Sequence, residues 1–263
     1  MKREILISAT PQETRVAILE DDVLVELMVD RPDAERLVGD IYLGQVEAVL
    51  PGIQAAFVNI GTEKAAFLHV SDIARDAAAD EDEEAEPEGE GRTRRYPPIQ
   101  ELIQKGERTI VQVSKEPIGG KGARVVTSLS LPGRYLVLMP HVEFVGISRR
   151  IEQDSERERL KGLARRLRPK GMGLIVRTAA EGRSEAELSR DLQVLLRVWE
   201  RIQHKARRAS APALLYRDHD LVYRLVRDVF TPDLNRVVVD SRAEFQKIVE
   251  LCESLGLDLR SRV

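Results

Sequence analysis

Two phenylalanines, a lysine and a histidine lie close together in the stretch Gly44–Asp72, which reads GQVEAVLPGIQAAFVNIGTEKAAFLHVSD. Phe57 and Phe67 lie in short runs of alternating apolar residues, with Lys64 and His69 nearby. Pro-Gly and Gly break these runs, as is typical of tight connections between strands. Aromatic faces and cations on a small curled sheet can hold a single-stranded nucleic acid, because bases stack on rings and phosphates need positive charge. The alternative is that both phenylalanines are buried in the core of the sheet.

A second set of residues that could bind a ligand follows two apolar runs. Arg149-Arg150 and Arg177-Thr178 come directly after predicted strands, whereas most other cations between Arg149 and Arg208 fall on predicted helices. A guanidinium and a hydroxyl at a strand end can bind a phosphate through a fork and an additional donor. Structural caps use the same residue types, so both interpretations stay open. The remaining cations are expected to form solvated helix faces.

The glycine-rich run Gly119–Arg124 reads GGKGAR. Such a run lets the backbone, Lys121 and Arg124 approach a phosphate closely. It lacks the GxxxxGK[ST] spacing of a P-loop, and a simple glycine hairpin explains it equally well.

Composition narrows the class of protein. The 263 residues allow more than one domain, and 43% hydrophobic residues allow a packed core. The net charge of −3 argues against a uniformly basic coat, so any nucleic-acid contact must be local. Cys252 is the single cysteine, which excludes an intrachain disulfide framework and a CxxC zinc site. There is no signal-like start and no run of about 18 apolar residues, so we expect a cytoplasmic protein without membrane contact.

Local patterns predict a mixture of strands and helices. Strands are expected at 5–7, 14–19, 23–29, 110–113, 125–127, 135–139, 171–176 and 236–239, with a turn at Asp21-Asp22 and a barrel-like region from about Val38. Helices are expected after an N-cap at Asp154 or Ser155, after a capping box at Ser184 and Glu187, and over 222–230 and 243–255.

Residues 76–91 are strongly acidic and contain no large apolar side chain. This composition predicts a disordered insert in a loop of the barrel. It can act as an acidic mimic that competes with nucleic acid, or as a solvated spacer, and the spacer is the simpler interpretation.

Several longer runs together carry a family resemblance. Pro51–Gly61 (PGIQAAFVNIG), Tyr135–Pro140 (YLVLMP), Gly146–Glu152 (GISRRIE) and Gly171–Gly182 (GMGLIVRTAAEG) resemble the bacterial ribonuclease E/G family. They match in order over nearly the whole chain, and the acidic insert is the main departure.

The resemblance implies an α+β fold with several subdomains. Residues 1–37 and 223–263 resemble the two segments of a split RNase-H-like subdomain. Residues 38–127 resemble an S-one-type OB-fold barrel that binds RNA, and residues 128–222 resemble an α/β 5′-sensor subdomain that binds the 5′-monophosphate of RNA.

The resemblance also implies site residues. Phe57, Phe67 and Lys121 correspond to the RNA-contacting surface of the barrel. The sensor pocket corresponds to five positions: Gly133, Val137, Arg149, Arg177 and Thr178. In that pocket Arg177 and Thr178 hold the terminal phosphate, Arg149 adds a basic contact, and Gly133 and Val137 line the wall.

The family has further parts that this sequence does not match. A DNase-I-like subdomain supplies two aspartates that bind Mg²⁺, and a Cys-Pro-x-Cys link binds structural Zn²⁺ ahead of a dimerisation domain. We therefore expect no catalytic residue and no metal site in these 263 residues, and no cleavage by this chain alone. A homo-oligomer is expected only through the further parts.

Three functions compete at this point. The first is the RNA-binding and 5′-monophosphate-sensing N-terminal part of a single-strand-specific endoribonuclease of RNA processing and decay. The second is a naturally short, non-catalytic RNA-binding protein. The third is a translation-associated S-one-type protein, which leaves Arg177-Thr178 without a role. A metal cluster of Asp30, Asp40 and Asp240 is the weakest option, since the resemblance implies that the RNase-H-like part has lost that chemistry.

Overall fold

The computed structural model describes residues 2–31, 36–73, 96–218, 220–230, 234–254 and 260–263. The described strands are β1 (Arg3–Ala9), β2 (Thr14–Glu20), β3 (Val23–Asp30), β4 (Ile41–Leu50), β5 (Ala55–Asn59), β6 (Ala66–His69), β7 (Arg108–Lys115), β8 (Arg124–Val126), β9 (Leu131–Pro132), β10 (Leu136–Pro140), β11 (Val145–Ile147), β12 (Met172–Val176), β13 (Ala213–Tyr216) and β14 (Leu234–Val239). The described helices are α1 (Ile99–Leu102), α2 (Asp154–Leu167), α3 (Glu185–Arg208), α4 (Leu221–Asp228) and α5 (Arg242–Ser254).

The chain forms two compact units, and the first combines Met1–Arg36 with His219–Val263. Its sheet has the order β14-β1-β2-β3, with β14 parallel to β1 and the other pairs antiparallel. Alternate residues of the strands form one buried face, and α4 and α5 contribute apolar side chains to the same core. The opposite face leaves Leu6, Leu27 and Val238 exposed. The RNase-H-like assignment of this unit stays a prediction.

The second unit, Leu37–Asp218, contains a closed five-stranded barrel. Its strands follow the order β4-β5-β6-β8-β7, and β7 pairs back onto β4 to close the ring. The β6–β8 pair is parallel and its neighbours are antiparallel. This is the strand order of an OB-like barrel, as the sequence predicts. β13 extends the sheet by pairing with β4.

The same unit carries a second sheet, with the order β11-β12-β10-β9. α2 and α3 cover it through a core that includes Leu138, Leu160, Leu174, Leu192 and Trp199. A capping box starts α3, because the Ser184 hydroxyl accepts the Glu187 N–H while the Glu187 carboxylate accepts the Ser184 N–H. The division of this unit at about residue 127 and the 5′-sensor assignment stay predictions.

The bounds of the predicted strands and helices lie within two residues of the observed ones, and Asp21 and Asp22 form the predicted turn with φ of 49° and 64°. The predicted N-cap of α2 is wrong. The helix begins at Asp154, so the cap is Gln153, which makes no side-chain capping bond. Asp154 lies in the first turn instead, where its charge favours the positive end of the helix dipole.

The predicted acidic insert at 76–91 lies outside the described residues. Among the helices that the structure does describe, none combines the length and the apolar character needed to cross a membrane.

Candidate nucleic-acid interface

The two phenylalanines lie on the outside of the barrel. Phe57 of β5 and Phe67 of β6 are direct cross-strand partners. Their neighbours along the strands, which include Val58 and Leu68, point inward and are fully buried. Because side chains alternate along a strand, both rings must point outward, and both are half-buried. Neither ring belongs to the barrel core, which decides against the interpretation of both as core residues.

The rings form a continuous aromatic face, defined here as Phe57, Phe67 and His69. The Phe57 and Phe67 ring centroids are 6.1 Å apart and nearly perpendicular, at 67°. The His69 ring lies 6.4 Å from Phe67 and nearly parallel to it, at 22°. The backbone N–H of Ser71 donates to His69 Nδ1 at 3.2 Å, which fixes the imidazole orientation. The arrangement presents a row of π-faces on one side of β5 and β6.

The glycine-rich loop between β7 and β8 lies against the β5–β6 loop. A Cβ at Gly122 would lie 2.0 Å from the Ala65 carbonyl oxygen, so close approach of two backbones requires glycine there. Lys64 Nζ donates to the Gly120 carbonyl oxygen, which ties the two loops together. Lys121, at the tip of the loop, is exposed. The glycines of this run therefore allow the two loops to pack closely, and the same run exposes Lys121 to solvent.

Arg124, the second cation of the glycine-rich run, has a carboxylate partner in the structure. Its Nε and Nη2 donate to the two carboxylate oxygens of Asp72 at 2.7 and 3.1 Å. This bidentate bond raises the pKa of the Arg124 guanidinium, which lies on the outer face of the barrel because its neighbours Ala123 and Val125 are buried. Lys121 is then the cation of this run that the structure leaves facing solvent.

A second cluster forms where β11 and β12 end. The two strands are parallel, with Ile147 beside Val176, so the residues that follow them leave the sheet at the same edge. The hydroxyls of Ser148 and Thr178 are 2.7 Å apart, and Thr178 is exposed. Arg149 follows Ser148 and is also exposed. The parallel pairing thus brings together residues that are about 30 positions apart in the sequence.

The start of β10 lies at the same edge, because β10 runs antiparallel to β12. Arg177 Nη1 donates to the Gly133 carbonyl oxygen at 2.6 Å, and the Arg177 backbone N–H donates to the Tyr135 carbonyl oxygen at 2.8 Å. Val137 pairs with Ile175 and is half-buried. We call Gly133, Ser148, Arg149, Arg177 and Thr178 the strand-end cluster.

Asp191 of α3 holds the loop that leads into β10. Its carboxylate accepts the backbone N–H groups of Arg134 at 3.1 Å and of Tyr135 and Leu136 at 2.9 Å each. Burial raises the pKa of Asp191 against the opposing effect of these three bonds. A Cβ at Gly133 would lie 2.6 Å from one of its oxygens, so this position must be glycine while the carboxylate is in place.

The turn after β11 is braced from α2. Arg157 Nη1 donates to the carbonyl oxygens of Ser148 and Ile151 at 2.9 and 3.1 Å. In the same helix, Glu156 pairs with Arg159 at 2.6 Å and also accepts the Gly182 N–H at 2.8 Å. The hydrogen bond from Arg159 lowers the pKa of Glu156 to about 2. These contacts fix the loops on both sides of the cluster.

The sequence-predicted residues thus fall into two places. Phe57 and Phe67 lie on the aromatic face, and Lys121 lies on the neighbouring loop. Gly133, Arg149, Arg177 and Thr178 lie at one sheet edge, with Val137 in the adjoining strand. Sequence reasoning missed Asp191 and Ser148. A lone acid among the leucines of an amphipathic helix is the signal that could have indicated Asp191.

Among the residues that the structure describes, no group of three or more His, Cys, Asp or Glu side chains is arranged to hold a metal ion. All three aspartates considered above have structural partners, and Asp30 Oδ2 accepts the Leu221 N–H at 3.4 Å. Asp40 accepts the Asp218 N–H at 2.8 Å, and Asp240 accepts the Ser8 hydroxyl at 2.6 Å. Burial raises the pKa of Asp40. The Mg²⁺ and Zn²⁺ that the resemblance implies stay predictions.

Comparison with known proteins agrees with the resemblance of the sequence runs. The family model described as "Ribonuclease E/G family" matches residues 130–263, half of the chain. The chain therefore belongs to the ribonuclease E/G family.

Individual relatives extend the similarity over the whole chain. It is 41% identical over 265 residues to ribonuclease G of Escherichia coli, which covers all of this chain and 53% of that protein. It is 43% identical over 260 residues to ribonuclease E of Nostoc sp., which covers 97% of this chain and 34% of that protein. The chain thus spans about half the length of its ribonuclease G relatives and about a third of the ribonuclease E relative.

Proposed function

We propose that this chain is the RNA-binding part of a single-strand-specific endoribonuclease, and that it holds single-stranded RNA on the barrel and a 5′-monophosphate at the strand-end cluster. The observation that carries the proposal is the outward cross-strand pair Phe57–Phe67. These rings lie on the second and third strands of an OB-like barrel, the face that such barrels use for oligonucleotides.

The aromatic face suits unpaired bases. Stacking on an exposed ring contributes roughly 1–3 kcal/mol per base and tolerates any base, because every base has a π-face. Lys121 lies on the loop beside the face and supplies positive charge for the backbone. Aromatic residues make up only 4% of the chain, so placing two phenylalanines outside a core that could use them indicates a surface with a ligand.

The strand-end cluster suits a terminal phosphate. Arg177 places a planar, permanently charged guanidinium at this sheet edge, where its Nη1 donates to the Gly133 carbonyl oxygen. The Ser148 hydroxyl can donate to Thr178 Oγ1, which leaves the Thr178 proton to point at a phosphate oxygen. A 5′-monophosphate carries more charge and more acceptor oxygens than an internal phosphodiester, and a 5′-hydroxyl offers neither. The cluster should therefore favour monophosphorylated ends.

Substitution of the rings tests the barrel. Phe57→Ala and Phe67→Ala should each weaken binding of a single-stranded oligonucleotide by roughly 1–3 kcal/mol. Thermal unfolding should change little, because both rings are only half-buried. Phe245→Ala is the matched control, since Phe245 is 37% exposed on α5 of the other unit. Full binding in both barrel variants, or a loss equal to that of the control, would contradict the proposal.

Substitution at the strand ends tests the phosphate site. One oligonucleotide is compared with a 5′-phosphate and with a 5′-hydroxyl. Arg177→Ala and Thr178→Val should remove the preference for the phosphate while leaving binding of the hydroxyl form unchanged. Arg177→Lys should restore part of it, because an ammonium keeps the charge and loses the fork. Arg165→Ala, on the exposed side of α2, is the control. A preference that survives in Arg177→Ala would remove the assignment.

A further inference from the structure

A row of cations runs along the outer side of α3. Its core-facing residues are Leu188, Leu192, Leu195, Trp199 and Ile202. A residue two positions after each of these is turned by about 200° around the helix axis, onto the opposite side. Four of these five outer positions carry Arg190, Arg197, Arg201 and His204, and the fifth is Val194. Arg208 lies one turn after His204 on the same side. The side chains of these four residues and of Arg208 are all exposed. We call these five residues the α3 ridge.

The ridge is long and has little opposing charge. At 1.5 Å per residue it extends about 27 Å from Arg190 to Arg208. Beyond Asp191 the helix contains five Lys or Arg residues and one acid, Glu200. Within the part of the chain that the structure describes, neither Arg197 nor Arg201 takes part in an ion pair or a side-chain hydrogen bond.

Favourable interaction with the helix dipole does not account for the whole ridge. Cations stabilise a helix only within its last turn, which contains Lys205, Arg207 and Arg208. Arg197 and Arg201 lie two to three turns before the end. Exposed arginines held about 6 Å apart along a rigid helix suit a regularly spaced polyanion.

The ridge differs from the barrel in having no Phe, Tyr or Trp, and its one ring is the imidazole of His204. Val194 is the one apolar residue among the outer positions listed above, so the ridge offers phosphates several charges and offers bases little flat apolar surface. Unpaired RNA gains much of its binding energy from stacking, whereas paired RNA hides its bases and presents backbone. We propose that the α3 ridge docks the sugar–phosphate backbone of double-stranded RNA. The proposal rests on the proposed function, in which RNA is the ligand, and deepens it by adding a surface for paired segments to the single-stranded site.

The test uses the full chain and two RNA probes. One is a blunt duplex of about 12 base pairs with 5′-hydroxyl ends, long enough to cover the ridge. The other is the single-stranded 5′-phosphorylated oligonucleotide. Arg197→Gln with Arg201→Gln should weaken duplex binding by roughly 3- to 10-fold, the range for two exposed charge pairs. It should also reduce the slope of log affinity against log salt by roughly 1–2. Single-strand binding should stay at the parent level.

The matched control is Arg165→Gln with Lys170→Gln. It removes the same charge from two exposed positions outside the ridge, one near the end of α2 and one in the turn that follows it. The control should bind the duplex like the parent, and both double variants should melt like the parent. Equal loss in both, or no loss in the ridge variant, would overturn the proposal.

Two further outcomes separate the proposals. If the parent binds the single strand but not the duplex, the ridge proposal is overturned and the proposed function stands. If the parent binds the duplex but not the single strand, the proposed function is overturned and the ridge proposal stands. Anionic phosphatidylserine vesicles serve as a second polyanion. If the ridge variant loses vesicle binding while keeping duplex binding, the ridge is a membrane surface and the proposal is overturned.

Discussion

Replacing Asp191 by alanine is the most informative single change at the strand-end cluster. The carboxylate accepts three backbone N–H groups at 2.9–3.1 Å, from Arg134, Tyr135 and Leu136. A backbone donor left without a partner costs about 1–3 kcal/mol when buried. The side chain is half-buried, so water can reach part of the space that it leaves. We therefore expect a loss of about 3–5 kcal/mol in the free energy of unfolding, less than the full sum.

The conservative variant separates charge from shape. In Asp191→Asn the amide oxygen can keep the bonds from Tyr135 and Leu136, which share Oδ2. The amide nitrogen then opposes the Arg134 N–H, which loses its acceptor at Oδ1. We expect Asp191→Asn to cost about 1–3 kcal/mol, between the parent and the alanine variant.

Denaturant unfolding, read beside titrations with 5′-phosphorylated and 5′-hydroxyl RNA, measures both effects. The phosphate preference should fall together with stability, because the loop that Asp191 holds carries Gly133, the partner of Arg177. Glu200→Ala is the control, since Glu200 is an exposed acid of the same helix and should change stability by less than about 0.5 kcal/mol. A loss below about 1 kcal/mol in Asp191→Ala would refute the reasoning, because three charge-assisted bonds cannot contribute so little.

The remaining predictions concern the neighbouring loops. Gly122→Ala should destabilise the unit by roughly 1–3 kcal/mol in denaturant unfolding, because its Cβ would lie 2.0 Å from the Ala65 oxygen; parent-like stability would contradict this contact. Ser148→Ala should weaken the 5′-phosphate preference less than Thr178→Val does, since Ser148 only orients the second hydroxyl, and equal losses would place both on the phosphate. The lowered pKa of Glu156, about 2, stabilises the fold above the unfolded value near 4.5. Melts of Glu156→Gln and the parent should therefore converge as the pH falls from about 5 towards 2, and a gap that is constant with pH would exclude an ionic contribution.

Local patterns were sufficient to predict most elements. Alternation of apolar residues located the strands, and the Ser184–Glu187 capping box marked the start of the long helix, because both signals depend on neighbouring residues only. The N-cap of α2 was misplaced, since Gln153, Asp154 and Ser155 all allow a helix to begin. Propensity alone does not choose between adjacent positions.

Family resemblance identified candidate residues without their partners. Arg177 and Thr178 were found from a run after a strand, and the sheet edge brings them to Gly133 and Ser148. Asp191 was missed because its three bonds reach back more than 50 positions along the chain. Arg124 was placed beside Lys121 as a phosphate cation, whereas the barrel turns it onto Asp72.

The sequence by itself determined the family, the mixed α and β content, the OB-like barrel and the positions where rings and cations occur. Only the tertiary structure decided which face of β5 and β6 is buried, and so whether Phe57 and Phe67 are core or surface. Alternation with a period of two residues shows that every second residue shares a face of the strand. It does not show which face meets the core. That choice depends on closure of the barrel through β4 and β7, and pairing between distant strands leaves no local signal in the chain.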